Sequence, residues 1–263
     1  MPAAFMWDDK IAGAAFLGDL GTMAATGLPL SNLTESQPRQ RTRWQPASLA
    51  LYVDFGAATT VECLALISTN LTGGSNIRWR IGNDAGFATS TYDTGVLIAL
   101  TAAGENGNVI LLAPAATSGR FMRLDIAATG DFIDIGRLIA GPLWRMIYGA
   151  SYGFTEGRTI LDRRDRNPFT GAEFPVPAVY NPRETSFTMS LLSPAEIVAQ
   201  HRHMLYALGA AGDALWIPDT RLSLDQLNIR CIWGAVSQPG ASAVAIRGNS
   251  AGFSRSFTLT ERV

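Results

Sequence analysis

The sequence is poor in the residues that usually carry metal binding and disulfide formation. Its 263 residues include two histidines and two cysteines, and Lys10 is the single lysine. Cys63 and Cys231 each lie within an alternating apolar run, so we expect two buried reduced thiols rather than a disulfide or a metal clip. A scaffold held together by disulfides is therefore excluded.

An excess of one charge and a long apolar segment are also missing. The 21 basic and 22 acidic residues leave a formal net charge of -1, which provides no global field to attract nucleic acid or an anionic membrane. The apolar stretch 11–25 is interrupted by Asp19 and is too short to cross a bilayer. We therefore expect a soluble, unexported chain with no nucleic-acid recognition and no membrane insertion.

Apolar residues, glycine and proline are plentiful. The chain is 47% hydrophobic and contains 26 glycines and 13 prolines, as is typical of a folded chain with many turns. At 263 residues it is long enough for two ordinary domains, each with its own core.

Apolar and polar residues alternate with a period of two between residues 48 and 140. Turn signals separate these runs, for example Phe55-Gly-Ala and Leu71-Thr-Gly-Gly-Ser-Asn. Short strands divided by turns predict an antiparallel β-sandwich or barrel. The clearest alternating runs are 49–55, 61–67, 77–81 and 122–126.

The composition changes after this region. An Arg/Asp-rich stretch, 158–166, precedes a proline-punctuated segment, 167–182, which we expect to form an extended arm or a long loop. Ser193-Pro-Ala-Glu combines a capping serine, a proline at the first helical position and a glutamate at the third, and it predicts a helix that stops near Gly209. The second half should therefore be β-structure with a single helix between strands.

Three stretches of the first half carry a family resemblance. They are Trp44, the strand "LALYVDFGAATTVECLAL" and the late segment "GRFMRLDIAATGDFIDIGRLIAG". In this order they resemble the coagulation-factor type C, or discoidin, group of galactose-binding-like jelly rolls. The resemblance implies a jelly-roll β-sandwich over residues 1–142, and it allows a surface glycan as ligand.

Three stretches of the second half carry another resemblance: "FTEGRTILDRR", "SFTMSLLSPAEIVAQHRHMLYALGAAGDALWIPD" and the closing "FTLTE". They are similar to tail-tip and baseplate proteins of long-tailed bacteriophages, of the distal tail protein type. The resemblance implies a tail-tube-like split β-barrel with one α-helix over residues 143–263, which assembles as a ring. In the familiar distal tail proteins the ring-forming domain comes first, whereas here it comes last.

The two histidines do not predict a metal site. Residues two apart on a helix point about 200° away from each other, whereas a zinc-binding pair needs positions i and i+4. We expect His201 on the buried face with Met204 and Leu208, hydrogen-bonded at its edge. His203 should lie on the opposite face, in solvent or at a subunit contact.

Two matches to the serine-hydrolase motif Gly-x-Ser-x-Gly occur, centred on Ser151 and Ser250. That chemistry needs a strand-to-helix turn beneath the serine, but "FTEGRTILD" after the first is not helical and no histidine follows the second. Both matches are interpreted as chance features of a glycine-rich β protein. The sequence therefore predicts no enzyme, no catalytic residue, no metal site and no cofactor.

The densest charge cluster allows three interpretations: a phosphate or nucleic-acid site, a solvated loop, or an inter-subunit salt-bridge network. The acidic residues within the cluster cancel much of its field, which favours the subunit interface. The candidate interface residues are Arg158, Asp162, Arg163, Arg164, Asp165 and Arg166.

Together these observations predict a structural component of a phage or phage-like tail tip or baseplate. It would form a hexameric or trimeric ring with itself and join the tail tube to hub, fibre and other baseplate proteins. It would be made in the bacterial cytoplasm and reside in the virion tail. The alternative is a carbohydrate-binding module protein that contacts host surface glycans.

Overall fold

The computed structural model describes residues 3–19, 28–45, 47–96, 106–148, 150, 154–161, 163–176, 180–209, 212–237, 243–247 and 250–262. The fold is mainly β. The strands are β1 (Ala4–Met6), β2 (Ala15–Asp19), β3 (Thr42–Trp44), β4 (Ser48–Ile67), β5 (Asn76–Gly82), β6 (Tyr92–Asp93), β7 (Val109–Ala127), β8 (Ile133–Ile135), β9 (Arg137–Gly141), β10 (Trp144–Arg145), β11 (Thr155–Arg158), β12 (Arg163–Arg166), β13 (Glu173–Val176), β14 (Arg183–Leu192), β15 (Asp213–Ile217), β16 (Ile232–Ser237), β17 (Ala243–Arg247) and β18 (Ser250–Glu261). The helical segments are α1 (Pro194–Glu196), a π-helical turn (Ile197–His201), α2 (Arg202–Leu208), α3 (Leu224–Arg230) and two 3-10 turns (Ile11–Gly13 and Leu30–Thr34).

The first half forms the predicted antiparallel jelly-roll sandwich. One sheet has the strand order β2-β4-β7-β5-β6 with β9 added beside β4, and β3 pairs with β8 in a small second sheet. The runs 49–55, 77–81 and 122–126 place one set of apolar side chains in a common core and leave the intervening residues partly exposed. This core includes the fully buried side chains of Trp44 and Trp79.

The turn predicted at Phe55-Gly-Ala was wrong, because the chain bends there within β4. Gly56 has φ +77°, a left-handed conformation that favours glycine. The β7 register shifts between Asp54 and Thr59, yet β4 pairs with β7 on both sides of the shift. The paired partner strand carries the backbone through the bend, so the two predicted runs belong to one strand.

The second half forms a larger sheet with the order β10-β1-β15-β16-β18-β14-β11, and β17 pairs with β18. Its second member, β1, comes from the start of the chain, although the sequence assigned all of residues 1–142 to the jelly roll. Met6 lies opposite Leu215 and Ala4 opposite Ile217 in this pairing. The division into two domains stays a prediction, but the first strand lies in the sheet of the C-terminal half.

The two faces of this sheet bury different side chains. On one face an aromatic cluster joins Phe5, Trp216, Phe187 and Phe257, and the rings of Phe187 and Trp216 stack with centroids 3.8 Å apart. Because successive strand residues point to opposite faces, the neighbouring Leu215 and its equivalents face the other way. Both faces of the central strands are therefore covered by protein.

The helical segments α1, the π-helical turn and α2 follow one another without a break and pack on the aromatic cluster. Ser193 and Glu196 make the predicted capping box. A further helix, α3, adds to the single helix that the sequence predicted for the second half. Ser223 and Gln226 form a second capping box there, which starts the helix and delays the strand until Ile232.

An apolar layer joins the jelly roll to the second sheet. Cys63, Ala65 and Ile67 of β4 leave the jelly-roll core and pack with Leu215 and Ile217 of β15. Between Val61 and Ile67 every side chain of β4 is buried, since one face meets the jelly-roll core and the other meets this layer. The layer thus covers a strand on which both phases of the alternation are apolar.

Replacing Trp216 with alanine should destabilise the protein by about 3–5 kcal/mol, because it removes the stacked ring from a close-packed cluster. The matched change Tyr206→Ala, at a side chain that is 93% exposed, should alter the free energy of unfolding by less than about 0.5 kcal/mol. Urea denaturation of the two variants measures the difference. Similar losses in both would contradict the packing assigned to Trp216.

Candidate functional site

Residues 163–176 form a two-stranded hairpin that we call the arm. Strands β12 and β13 pair antiparallel, with Arg163 opposite Val176 and Arg166 opposite Glu173. At the tip the Asn167 side chain accepts a hydrogen bond from the Phe169 N–H at 2.9 Å. The proline-punctuated segment is therefore partly an ordered hairpin rather than only an extended loop.

The base of the arm is tied to the body of the second half. The Thr159 N–H donates to the Pro182 carbonyl at 2.9 Å, and the Leu161 N–H donates to the Asn181 side-chain oxygen at 2.8 Å. These two bonds hold the entering and leaving chains side by side. They fix where the arm starts without contacting its strands.

The structure gathers only part of the predicted interface cluster on the arm. Arg164, Asp165 and Arg166 are exposed there, and Arg164 lies 3.7 Å from Glu173, a carboxylate that the sequence reasoning left out. Arg158 lies apart from them, in β11 at the edge of the large sheet, and Asp162 lies outside the described residues. Because the Arg164–Glu173 pair is highly exposed, it contributes little to stability.

The arm also carries exposed apolar side chains, which the charge-based search did not identify. Phe169 at the tip is 95% exposed and Phe174 in β13 is 56% exposed, and Val176 is also exposed. A two-stranded hairpin with both faces in water is at best marginally stable by itself. Among the described residues no third strand pairs with β12 or β13, so the arm combines open strand edges with exposed apolar side chains.

A groove of about 670 Å³ opens at the base of the arm beside β11. Strand β11 is the last strand of the large sheet, so its outer edge has no neighbouring strand among the described residues. The exposed side chains of Ile160 and Ile229 line the groove together with Glu156, which pairs with Arg230 at 3.6 Å. This edge is open to strand addition.

A buried charge cluster supports that groove. Arg183 donates to Glu261 at 2.5 Å and to the Cys231 carbonyl at 3.0 Å, and the Tyr180 hydroxyl donates to Glu261 at 2.7 Å. Burial by itself would raise the pKa of Glu261, but the hydrogen bond and charge of Arg183 outweigh it and lower that pKa. Burial and the Glu261 charge raise the pKa of Tyr180. The cluster joins β14 to the end of β18.

The outer surface of the jelly-roll sheet holds a different groove, which we call the outer-face groove, of about 520 Å³. Its charged side chains are Arg78 and Arg80 from β5 and Arg123 and Asp125 from β7. Arg80 donates to Asp125 at 2.5 Å and Arg123 donates to the same carboxylate at 2.8 Å. The sequence predicted these residues only as the solvent-facing phase of two strands.

Arg78 has its own carboxylate partner at this groove. It donates to Asp93 of β6 through two nitrogens, at 2.9 and 2.5 Å. The hydrogen bonds from Arg78 lower the pKa of Asp93. The pair stays ionised over the whole neutral range and holds the Arg78 guanidinium in one orientation.

The histidines lie on opposite faces of the helix, as the spacing predicted. His201 is 2% exposed and its ring contacts Phe257 with centroids 5.9 Å apart, whereas His203 is exposed. The predicted edge hydrogen bond is not made by His201 Nε2, which has no partner among the described residues. Burial, together with the charges of Arg255 and Arg202, lowers the pKa of His201 to about 4.

The remaining candidates for chemistry do not form a site in the described residues. Ser151 lies outside them, and Ser250 begins β18, so a strand and not a helix follows that serine. Cys63 and Cys231 are free and buried, as predicted, and the fold brings them into the same apolar layer. Burial raises the pKa of both thiols. Among the residues that the structure places, no group of three or more His, Cys, Asp or Glu is arranged to hold a metal.

None of the helices in the described ranges is both long and apolar enough to cross a membrane.

Neither the family models nor the curated proteins match the sequence. Chitosan-binding module 1 from a chitosanase/glucanase of Paenibacillus sp. IK-5 is similar in structure at 14% identity, with 51% of this chain and 99% of that chain covered and a TM-score of 0.41.

Two further solved structures show a similar likeness. The lectin domain of lectinolysin complexed with Lewis B antigen has 12% identity, 51% of this chain and 95% of that chain covered, and a TM-score of 0.40. CBM32-1 from a family 31 glycoside hydrolase of Clostridium perfringens has 10% identity, 52% and 99% covered, and a TM-score of 0.39. The ligands in these names belong to those proteins.

The low pKa of His201 makes stability depend on pH. The ordinary value of 6.5 applies to the unfolded chain and the folded value is about 4, so the unfolded state binds the proton first. The contribution of the neutral His201 to the free energy of unfolding is therefore fully present above pH 6.5, and it is lost as the pH falls from 6.5 toward 4. The variant His201→Leu should show a flatter pH dependence in this window than the wild-type chain.

The matched variant His203→Leu, which removes an exposed histidine from the same helix, should keep the pH dependence of the wild-type chain. Urea denaturation at several pH values in this window measures all three proteins. An unchanged slope in His201→Leu would contradict the assignment.

Proposed function

We propose that this protein is a structural component of a phage or phage-like tail tip, which assembles with copies of itself through the arm. It would be made in the bacterial cytoplasm and become part of the virion tail. The observation that carries the proposal is the arm, an exposed hairpin with aromatic side chains at its tip and on one strand. The family resemblance of "FTEGRTILDRR" and the helix-containing stretch supplies the tail-tip setting.

The arm is a poor surface for a monomer. Three of the twelve large apolar side chains that are exposed in the described residues lie in the arm, and two more, Ile160 and Leu161, lie just before it. Clustered exposed apolar side chains of this kind mark interaction sites. Burying Phe169 in a neighbour would gain about 1.5–3 kcal/mol per copy, and a closed ring repeats that gain at every contact.

The receiving surface that fits the arm best is the edge of β11 with its adjoining groove. An open edge strand can accept another strand by main-chain hydrogen bonds, and Ile160 and Ile229 provide apolar contacts next to it. The arm and this edge are different patches of one chain, so the contact is head-to-tail. Head-to-tail contacts close into rings when the rotation between copies permits.

A second candidate function is carbohydrate binding. The specific observation in its favour is the outer-face groove, which presents guanidinium and carboxylate groups to solvent. In the described part of residues 1–142, the exposed large apolar side chains are Leu17 and Val96, and neither is aromatic. A sugar site on this domain would therefore use the sheet surface rather than aromatic loops.

The double variant Phe169→Ser/Phe174→Ser should convert a trimeric or hexameric assembly into monomers, because it removes the apolar side chains of the arm. Both residues are exposed, so thermal stability of the monomer should be unchanged. Mass photometry and light scattering at micromolar concentration measure the assembly. The control is Tyr148→Ser/Tyr206→Ser, which removes two exposed aromatic rings outside the arm and should leave the assembly intact. A wild-type chain that stays monomeric would refute the main proposal.

The second candidate is tested by a glycan array probed with the wild-type chain and with Ala127→Trp, which fills the outer-face groove from an exposed position of β7. Carbohydrate binding by this groove predicts signals that the tryptophan removes. Signals of equal strength in both proteins would place any sugar site elsewhere, and an array without signals would leave only the structural role.

A further inference from the structure

The outer-face groove has a floor of small side chains. Ser48 of β4, Ala127 of β7 and Asn76 of β5 lie side by side across three paired strands, and Ala50 continues the floor in the next row. Large side chains at such positions would fill the space above the sheet. The result is an open groove of about 520 Å³, within the range of about 300–1,000 Å³ that small-molecule sites occupy.

The charges at this groove are unequal. Three guanidinium groups, from Arg78, Arg80 and Arg123, form ion pairs with only two carboxylates, from Asp93 and Asp125. Asp125 serves two of the arginines, so the groove carries one positive charge in excess. Partly buried ion pairs on a rigid sheet hold these groups in place before any ligand arrives.

We propose that the outer-face groove binds a saccharide that carries one carboxylate on a sugar unit, such as a uronic or sialic acid. A guanidinium fork matches a carboxylate, and a single carboxylate cancels the excess charge. The ring hydroxyls donate to Asp125 and accept from the arginines. The apolar side chains of Ala50 and Val96 meet the C–H face of the ring. This inference rests on the second candidate function, carbohydrate binding, and specifies its ligand class.

The same features disfavour a nucleic acid. A polyphosphate chain needs an extended positive track, whereas Asp93 and Asp125 interrupt the positive charge here. Single-stranded nucleic acid also uses aromatic stacking platforms, and no exposed aromatic side chain lines this groove in the residues the structure describes. Sugar hydroxyls, in contrast, use both the donors and the acceptors that the groove offers.

Calorimetric titration of the full chain tests the proposal with four probes: a galactose oligomer that ends in one galacturonic acid unit, the same oligomer with that carboxylate reduced to an alcohol, a sialyl-oligosaccharide and a short single-stranded DNA. We expect at least one of the two acidic sugars to bind at least tenfold more tightly than the reduced oligomer and the DNA. Which acidic sugar binds distinguishes the two sources of the carboxylate.

Two pairs of variants locate the binding. Arg78→Gln/Arg123→Gln and Ala127→Trp should each weaken acidic-sugar binding at least tenfold. The controls Arg120→Gln and Ala115→Trp make the same chemical changes at exposed positions of β7 outside the groove and should bind as the wild-type chain does. Thermal melting checks that each variant is folded.

Three results would overturn the inference. Equal binding of the acidic and reduced oligomers would reject the carboxylate requirement but keep carbohydrate binding. Tighter binding of the DNA than of either acidic sugar would show that the ligand of the groove is a nucleic acid and not a saccharide. Failure of every sugar to bind, with all variants folded, would reject both this inference and the carbohydrate function on which it rests.

Discussion

The apolar layer between the two sheets is the contact on which the arrangement of this protein depends. Strand β4 contributes Cys63, Ala65 and Ile67 to it, and β15 contributes Leu215 and Ile217. Each large apolar side chain buried there stabilises the joined state by about 1.5–3 kcal/mol relative to exposure. Asn228 adds a contact with defined geometry, because its side chain accepts a hydrogen bond from the Ile110 N–H at 2.8 Å across the layer. The jelly roll and the second sheet are thus held together by buried apolar contacts as well as by the covalent connection of the chain.

The two candidate functional surfaces lie away from this apolar layer. The arm extends from β11 and β14 with its described side chains in solvent, and the outer-face groove lies on the side of the jelly-roll sheet that faces away from the core. Their chemistry differs accordingly. The arm presents exposed aromatic rings, and covering such rings with a neighbouring surface lowers the free energy. The groove presents ion pairs on the sheet, and such fixed charged groups suit a polar ligand. The proposed assembly and the proposed ligand binding would therefore use separate surfaces of one chain.

The accuracy of the sequence-based predictions followed the range of the interactions involved. The alternation at 77–81 and 122–126 correctly separated core from surface, and the capping residues Ser193 and Glu196 located the helix. Two errors arose where a distant partner decided the outcome. The turn at Gly56 became a bend because β7 pairs on both sides of it. The first strand joined the sheet of the second half because it pairs with β15, which is more than 200 residues away in the sequence. The third error was local, because the capping box of Ser223 and Gln226, which the sequence analysis did not use, starts the second helix, α3.

By itself the sequence determined the mainly β class, the opposite faces of His201 and His203, and the absence of paired cysteines, since periodicity and spacing act over a few residues. It also contained a sign of the apolar layer, because both phases of the run Val61–Ile67 are apolar except for Glu62. Only the tertiary structure decided that Cys63 and Cys231 share that layer, that Arg158 lies apart from the arm, and that Arg78, Arg80 and Arg123 surround one groove. These groupings depend on strand order and register, which long-range pairing sets, and a single sequence does not specify it.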